Sequence, residues 1–248
     1  MSIRVTTDIP FGNAANVLVS DADSVPEISF TSHPHGGTES LWFCFRAIAD
    51  GSPAPRLRIV LTNPDTLLGV GHGDHVHPVV RRNADSPDSD WERLPGGTVQ
   101  ELPDGRWNVI WDVERPGTSC DFAVCYPYGP DELATLLTDT NRAFSIDTIG
   151  VSQHGRPIPR LSNDAGSPGG KRAGIFLMAR QHSGETTGSW VLDGMLREFA
   201  RHGDRAPLVW AIPFSNLDGV IEGDYGKDPF PWDLNRAWSS PAMRHEIL

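Results

Sequence analysis

The chain has 248 residues and a formal net charge of −11, from 21 basic and 32 acidic side chains. This length fits one large domain or two smaller ones, and the acidic balance argues against a nucleic-acid binder, which needs a basic face for phosphates. No run of residues is long and apolar enough to span a bilayer, and the N-terminal residues lack the pattern of a signal peptide. The three cysteines, Cys44, Cys120 and Cys125, lack metal-ligand spacing. We therefore expect a cytoplasmic protein without a disulfide framework, a nucleic-acid partner or a membrane segment.

The first half of the chain has the sequence pattern of β-strands. Short runs rich in β-branched and aromatic residues lie at 41–49, 56–63, 106–114 and 119–128. Several runs alternate apolar and polar residues, and clusters of Gly, Pro and Asp separate them. The pattern predicts an N-terminal antiparallel β-sandwich domain over residues 1–135, with its aromatic residues in the core. These predicted core aromatics are Trp42, Phe43, Phe45, Trp107, Trp111 and Phe122.

A short helix is predicted next, at 128–140, where Asp131 can cap its first turn. We interpret this helix as the link between two domains. Beyond it, the runs 144–152 and 156–164 predict a strand pair around a turn at His154 and Gly155.

The remainder of the chain has the pattern of a strand–helix–strand unit. The apolar runs AGIFLMAR (173–180) and PLVWAIPF (207–214) predict two strands that are buried on both faces. An amphipathic helix is predicted between them. Its apolar stripe comprises Val191, Leu192, Met195, Leu196 and Phe199. Residues 136–248 are therefore predicted to form an α/β domain.

A His and a Glu lie three residues apart at the predicted junction between the first apolar strand and the helix. These are His182 and Glu185, in the stretch FLMARQHSGETTGSWVLDGML. Ligands of open α/β sheets bind beyond the carboxyl ends of the strands, and zinc accepts both imidazole nitrogen and carboxylate oxygen. A Glu at a helix start also suits the helix dipole, so the pair alone leaves an ordinary helix N-terminus open as the alternative.

A second polar stretch begins just past the second apolar strand, at 213–238. Its polar candidates are Asn216, Asp218, Asp224, Lys227, Asp233, Asn235 and Arg236. An Asn next to an Arg can bind a carboxylate, and Asp233 is suited to hold the far nitrogen of a metal-bound His. The alternative is a solvated polar loop.

Three ordered motifs resemble the zinc metallocarboxypeptidases of the carboxypeptidase A clan, and more narrowly their cytosolic carboxypeptidase branch. That branch carries His-Pro-Gly-Glu, Asn-Pro-Asp-Gly-Val and Asp-Leu-Asn-Arg. The matching segments here are 182–185, 216–220 and 233–236. The branch also has a β-sandwich ahead of the peptidase domain, with a Trp-Phe strand and a Tyr-Pro-Tyr segment that match 42–43 and 126–128. The resemblance covers nearly the whole chain from about residue 28 onward.

The resemblance implies a role for each matching residue. His182 and Glu185 are the first two Zn²⁺ ligands, Asp233 orients His182, and Asn235 and Arg236 bind the C-terminal carboxylate of a peptide or protein. The implied reaction is removal of one C-terminal residue. In it the zinc polarises the scissile carbonyl and activates a water, a Glu accepts the proton, and a cation stabilises the oxyanion.

The chain departs from the branch where an Arg that serves the oxyanion follows an Asn-Tyr pair. The matching stretch here is Asp224-Tyr225-Gly226-Lys227, and Lys227 is one of two lysines in the chain. Our hypothesis is that the Lys227 ammonium replaces the guanidinium. The alternative is an exposed loop lysine.

The C-terminal part of the pattern is a larger departure. The family takes its third zinc ligand from a later strand and its general-base Glu from a point later still, and neither is identifiable before Leu248. His245 and Glu246 follow the Asn-Arg motif too closely to substitute. We expect the N-terminal portion of a longer enzyme, with weak metal binding and negligible turnover in the chain as given.

Histidines also cluster in the first half of the chain. His72, Asp74, His75 and His77 lie in a Gly-rich segment, where a solvated loop is favoured over a metal site, and the same holds for His33 and His35. His154 is interpreted as a turn residue and His202 as a helix-end residue.

Two functional alternatives stand beside the carboxypeptidase. One is an amidohydrolase of the same clan that acts on acylated amino acids, against which the sandwich and the Asp-Leu-Asn-Arg motif count. The other is a non-catalytic protein that binds peptide C-termini. Neither the residue removed nor the oligomeric state follows from the sequence.

Overall fold

The computed structural model describes residues 2–21, 24–37, 39–66, 76–164, 172–227 and 233–248. The chain divides into two compact units: Met1–Tyr126 with Glu222–Tyr225, and Pro127–Ile221 with Gly226–Leu248. The predicted linking helix therefore lies within the second unit, and a domain boundary after residue 135 stays a prediction. Among the described residues, no helix has both the length and the apolar character needed to cross a membrane.

The described part of the first unit contains two five-stranded sheets. Its strands are β1 (Ser2–Thr6), β2 (Ala15–Ser20), β3 (Glu27–Thr31), β4 (Cys44–Asp50), β5 (Arg56–Leu61), β6 (Val79–Arg82), β7 (Trp91–Arg93), β8 (Thr98–Glu101), β9 (Trp107–Glu114) and β10 (Ser119–Ala123). One sheet has the order β1-β4-β10-β6-β7, and the other has the order β2-β3-β5-β9-β8. All four predicted strands are present as β4, β5, β9 and β10.

One pairing contradicts the prediction of a purely antiparallel sandwich. Strands β3 and β5 pair in parallel, with Ile28 opposite Ile59, whereas the other strand pairs of this unit are antiparallel. A parallel return needs a long connection. Here the chain between β3 and β5 passes through β4, which belongs to the other sheet, and this detour supplies the connection.

The core of the first unit lies between the two sheets and is aromatic, as predicted. Phe43 and Phe122 stack with ring centroids 5.5 Å apart, and Phe30 meets Phe45 edge to face at 4.9 Å. Trp42 is also buried, but in a separate cluster. Trp107 is only half-buried at the start of β9, so its assignment to the core is wrong.

The second unit begins with a helix and a strand pair. Its elements are α1 (Pro130–Asp139), β11 (Ser145–Val151), β12 (Pro157–Ser162), β13 (Gly174–Met178), α2 (Thr186–His202), β14 (Leu208–Ile212) and α3 (Leu217–Glu222). The strand order is β11-β12-β14-β13. Strands β11 and β12 form the predicted antiparallel pair, and β13 and β14 pair in parallel around α2, which confirms the strand–helix–strand unit.

Helix α1 starts differently from the prediction. Gly129 is the N-cap, and its backbone N–H donates to Oε2 of Glu132 at 2.7 Å, so Asp131 is a first-turn residue rather than the cap. A Glu at this position can satisfy the N-cap amide because its longer side chain reaches back along the first turn. The predicted helix is therefore present with a different start.

Three apolar residues of the second unit are exposed where the sequence predicts burial. Phe176 on β13 is 57% exposed, Trp210 on β14 is 43% exposed and Val191 on α2 is 59% exposed. Val209 and Ala211, which flank Trp210, are fully buried. An uninterrupted apolar run therefore does not distinguish a strand that is buried on one face from a strand that is buried on both. Within the described residues β13 pairs with β14 alone and is an edge strand.

Candidate metal-binding site

The segment between β13 and α2 folds around a buried arginine. Arg180 has a φ of 64° and is 5% exposed. Its Nε donates to the backbone O of Ser183 at 2.6 Å, and its Nη1 donates to the backbone O of Tyr128 at 2.7 Å and to Oγ of Ser189 at 3.3 Å. These bonds bend residues 180–185 into a compact loop ahead of the helix. The burial of Arg180 was not predicted, because an Arg at the end of an apolar run gives no signal of burial.

His182 lies in this loop between two carboxylates. It is 7% exposed, with Nδ1 2.9 Å from Oε1 of Glu185 and Nε2 3.1 Å from Oδ1 of Asp233. The backbone N–H of Glu185 donates to the O of His182 at 3.2 Å, so a tight bend brings the two side chains to one point. Contacts with a carboxylate at each ring nitrogen therefore fix the orientation of the His182 ring.

Asp233 is held by its own turn. It is the N-cap of a short 3₁₀ helix, Leu234–Arg236, and its Oδ1 accepts the backbone N–H of Asn235 at 2.7 Å. The same oxygen faces His182, so this turn fixes the carboxylate that contacts the ring. Asn235 and Arg236 are exposed on the turn, and their side chains are accessible.

The donor set fits a metal ion of the zinc type. An imidazole nitrogen and a carboxylate oxygen face each other, and the far imidazole nitrogen meets a second carboxylate, which is the usual arrangement of a metal-binding His. The Glu185 side chain is 55% exposed, so the pair is open to solvent. Within the described ranges, no third His, Cys or carboxylate ligand converges with these two.

Two further candidates of the polar stretch lie at the start of α3. Asn216 is 1% exposed, and its Oδ1 accepts the backbone N–H of Gly219 at 3.2 Å at the start of α3. Asp218 accepts hydrogen bonds from Oγ of Ser152 at 2.7 Å, from the backbone N of His154 at 3.0 Å and from Nη1 of Arg156 at 2.5 Å. Asp218 therefore holds the turn between β11 and β12.

The environment of Asp218 favours its charged form. Burial alone would raise the pKa of this carboxyl group, but the three hydrogen bonds outweigh burial and hold the pKa below its usual value.

Asp224 lies in the first unit and contacts Nδ1 of His35. The backbone N–H of His35 donates to Nδ1 of His33 at 2.8 Å, and burial followed by the charge of His33 lowers the pKa of His35. His33 and His35 are both exposed outside the helices and strands, as predicted, and His35 also contacts a carboxylate. Lys227 is half-buried directly after Gly226, and its role stays a prediction.

Among the other candidates, those that the structure describes lie on the surface, in turns or at the end of a helix, or pair with neighbouring residues. His72, Asp74 and His75 lie outside the described residues, and His77 is exposed. Glu246 pairs with Arg244 at 2.9 Å, and Nδ1 of His245 lies 3.4 Å from the backbone O of Ser152. His154 lies in the predicted turn and His202 is the last residue of α2, as expected. Cys44, Cys120 and Cys125 are not in disulfides.

Relatives that match in sequence are named carboxypeptidases, and a solved structure that matches in fold is named a metallo-carboxypeptidase. The cytosolic carboxypeptidase-like protein 5 of Rattus norvegicus is 27% identical in an alignment 298 positions long, which covers 96% of this chain and 35% of the relative. The human cytosolic carboxypeptidase 6 is 30% identical in an alignment 171 positions long, which covers 61% of this chain and 34% of the relative. A metallo-carboxypeptidase of Pseudomonas aeruginosa, solved with (2-guanidinoethylmercapto)succinic acid, shares the fold with a TM-score of 0.74 at 22% identity.

These comparisons confirm the resemblance found in the sequence. The chain spans about a third of the length of the curated relatives and 64% of the solved Pseudomonas chain. A scan against protein-family models finds no match.

Proposed function

Because the chain is related to the metallo-carboxypeptidases of the carboxypeptidase A clan, we propose that it contributes to a zinc-dependent enzyme that removes a C-terminal residue from a peptide or protein. The observation that supports this proposal most strongly is the His182 ring, which meets Glu185 at one nitrogen and Asp233 at the other. Its relatives are named cytosolic, and we propose the same compartment for this protein.

His182 and Glu185 are the residues that would hold the metal, through Nδ1 and Oε1. A bound zinc supplies Lewis-acid chemistry, because it polarises a carbonyl and lowers the pKa of a coordinated water. Asp233 would accept from Nε2 of His182, so that Nδ1 presents its lone pair to the metal and the ring is kept from rotating.

The substrate carboxylate would meet the turn that follows Asp233. Arg236 can bind a carboxylate through two parallel N–H groups, and Asn235 can add a further hydrogen bond from its amide. Both side chains are exposed on the turn whose N-cap, Asp233, contacts His182, so the carboxylate-binding residues follow directly after a residue that touches the ligand pair. We propose that the Lys227 ammonium stabilises the oxyanion.

We expect the 248-residue chain by itself to bind zinc weakly and to have negligible turnover. A catalytic zinc has three protein ligands, and two are identified among the described residues. The general base is likewise unassigned. Zinc-dependent release of C-terminal residues by the purified chain would contradict this expectation.

The test of the site is a metal titration of the purified chain. Zn²⁺ or Co²⁺ binding is measured in competition with a chromogenic chelator for the wild type, His182→Ala and Glu185→Ala. The matched control is His202→Ala, which removes an exposed histidine at the end of α2. We expect His182→Ala and Glu185→Ala to lose metal binding and His202→Ala to keep it. Equal affinity in wild type and His182→Ala would overturn the proposed site.

A non-catalytic protein that binds peptide C-termini is the second candidate. The observation in its favour is that Asn235 and Arg236 are exposed beside a site with two identified ligands. Peptide affinity that falls in Arg236→Ala, stays in the exposed control Arg201→Ala and is insensitive to chelator would favour this candidate over the enzyme.

A further inference from the structure

Ser183 occupies a cradle formed by two glycines that come from separate segments of the second unit. The residue is 1% exposed. A Cβ atom built on Gly219 would lie 2.8 Å from Cβ of Ser183 and closer still to its Oγ. A Cβ atom built on Gly226 would lie 2.6 Å from Oγ and 2.7 Å from the backbone N of Ser183. These separations are shorter than carbon atoms tolerate without a shift, so only glycine fits at both positions.

The local conformation of each glycine supports this interpretation. Gly219 lies inside helix α3, where glycine is less favourable than alanine, so the close approach of Ser183 explains its presence better than the helix does. Gly226 has a φ of +94°, which also disfavours any side chain. The side chain of Ser183 therefore limits both positions, and position 226 is limited in addition by the backbone N of Ser183 and by its own φ.

Two polar side chains complete the cradle. Arg180 donates from Nε to the backbone O of Ser183 at 2.6 Å. The Asn216 amide borders both glycines: its Nδ2 would lie 3.2 Å from a Cβ on Gly219 and 3.0 Å from one on Gly226. Asn216 in turn accepts from the backbone N–H of Gly219, which ties the start of α3 to the cradle. The carbonyl of Ser183 is thus held by Arg180, while its amide nitrogen faces Gly226 and its side chain faces both glycines.

We propose that Gly219, Gly226 and Arg180 are positioning residues that set the geometry of the His182–Glu185 pair through Ser183. Ser183 lies between these two residues in the sequence, and their side-chain atoms meet at 2.9 Å. A Cβ at position 219 or 226 pushes Ser183 away, and this shift separates the imidazole nitrogen from the carboxylate oxygen. The inference rests on the proposed function in treating the pair as metal ligands.

The first test compares Gly219→Ala with the control Gly194→Ala. Gly194 lies in helix α2, and a Cβ there meets no atom within 4 Å. Metal affinity is measured by chelator competition, and thermal unfolding is recorded for each variant. We expect Gly219→Ala to bind at least about tenfold more weakly while it still unfolds cooperatively, and Gly194→Ala to bind like the wild type. Unchanged affinity in Gly219→Ala would overturn the proposal.

The second test is a rescue by Ser183→Gly, which removes the Cβ and Oγ that a Cβ at position 219 would meet. We expect metal affinity to recover in Ser183→Gly/Gly219→Ala. It should not recover in Ser183→Gly/Gly226→Ala, where the backbone N of Ser183 and the φ of +94° still oppose a side chain. If Gly219→Ala does not fold, Ser183→Gly/Gly219→Ala provides the test. Folding and metal binding by this double variant would support the cradle, and loss of either would overturn it.

A readout without metal separates failure of the cradle from failure of the proposed function. The ring ¹⁵N chemical shifts of His182 are assigned in wild type, Gly219→Ala and Gly194→Ala. We expect a change in Gly219→Ala only, because the ring loses its contact with Glu185. If the wild type binds no metal through His182 but this shift change occurs, the metal function fails and the positioning role stands. Identical ring ¹⁵N chemical shifts of His182 in all three proteins would contradict the positioning role.

Discussion

At the scale of single residues, motif spacing predicts which polar side chains meet. It predicts less well the packing that keeps these side chains in place. The three-residue spacing and the later Asp-Leu-Asn-Arg motif singled out His182, Glu185 and Asp233, and His182 meets Asp233 across 51 residues of sequence. Arg180 and Gly219 were not singled out. Their importance comes from a buried hydrogen bond and a close approach, which depend on chain segments that are distant in sequence.

Removing the Asp233 carboxylate should weaken metal binding without unfolding the protein. In Asp233→Ala the Nε2 of His182 loses its partner, the ring can rotate, and Nδ1 becomes a poorer ligand. We expect a loss of about 10–100-fold in Zn²⁺ affinity. Chelator competition measures it, with Asp131→Ala in the exposed first turn of α1 as the control. Wild-type affinity in Asp233→Ala would show that the carboxylate does not act on the ring.

A buried phenol stabilises the second unit. The Tyr128 hydroxyl donates to Oδ2 of Asp193 at 2.9 Å, and both side chains are buried. Burial, with the nearby charge of Asp193, raises the pKa of Tyr128, so the phenol stays a donor over the whole physiological range. Tyr128→Phe leaves the Asp193 oxygen without this donor and should lower the free energy of unfolding by about 1–3 kcal/mol.

Urea unfolding measures the effect of Tyr128→Phe. The control is Thr135→Val, which removes an exposed hydroxyl on α1 and should change stability by less than about 0.5 kcal/mol. Equal stability of wild type and Tyr128→Phe would mean that water replaces the lost donor.

At the scale of elements, alternation and turn residues predicted the strands well, whereas burial was predicted less well. Strands β11 and β12 and their turn followed from Gly155 and the flanking runs. The burial of β13 did not follow, because an apolar run looks the same in a central strand and in an edge strand. Neighbours decide which it is, and β13 has β14 on one side within the described chain.

The turn between β11 and β12 should be sensitive to acid through Asp218. The folded state holds the pKa of Asp218 below the usual value of about 3.9, so its contribution is complete above that pH and is lost as the pH falls through the folded-state pKa. Asp218→Asn should cost about 1–3 kcal/mol at neutral pH, and the difference from wild type should shrink below about pH 4.

Urea unfolding at a series of pH values tests this prediction. Asp147→Asn on β11 is the control, because Asp147 also pairs with an arginine, Arg160, but is exposed, so solvent screening should reduce its effect. A difference between Asp218→Asn and wild type that stays constant from neutral pH to pH 3 would rule out the carboxylate as the titrating group.

At the scale of the whole molecule, composition and strand pattern predicted a β-rich part followed by an α/β part, and both compact units agree with that order. The sequence did not predict that Glu222–Tyr225 belongs to the first unit. Tyr225 packs there with Trp42 and Cys44, and the Asn13 side chain donates to the backbone O of Gly223 at 2.8 Å. A return of four residues is too short to leave a periodic signal.

The charge of the whole chain and the open face of the second unit together predict pH-dependent self-association. Phe176 and Trp210 are register partners on neighbouring strands, so both project from one face of the sheet. An edge strand beside exposed aromatic side chains favours association, which a net charge of −11 at pH 7 opposes. Association should therefore increase as the pH approaches the isoelectric point of about 5.2.

Light scattering across this pH range measures the effect, and Phe176→Ser should reduce it. Because Phe176 is 57% exposed, this substitution should change the free energy of unfolding by less than about 0.5 kcal/mol. The control is Leu18→Ser on β2, which removes a 70% exposed apolar side chain from the other unit and should leave association unchanged. Equal reduction by both variants would attribute association to general surface hydrophobicity rather than to the face that carries Phe176 and Trp210.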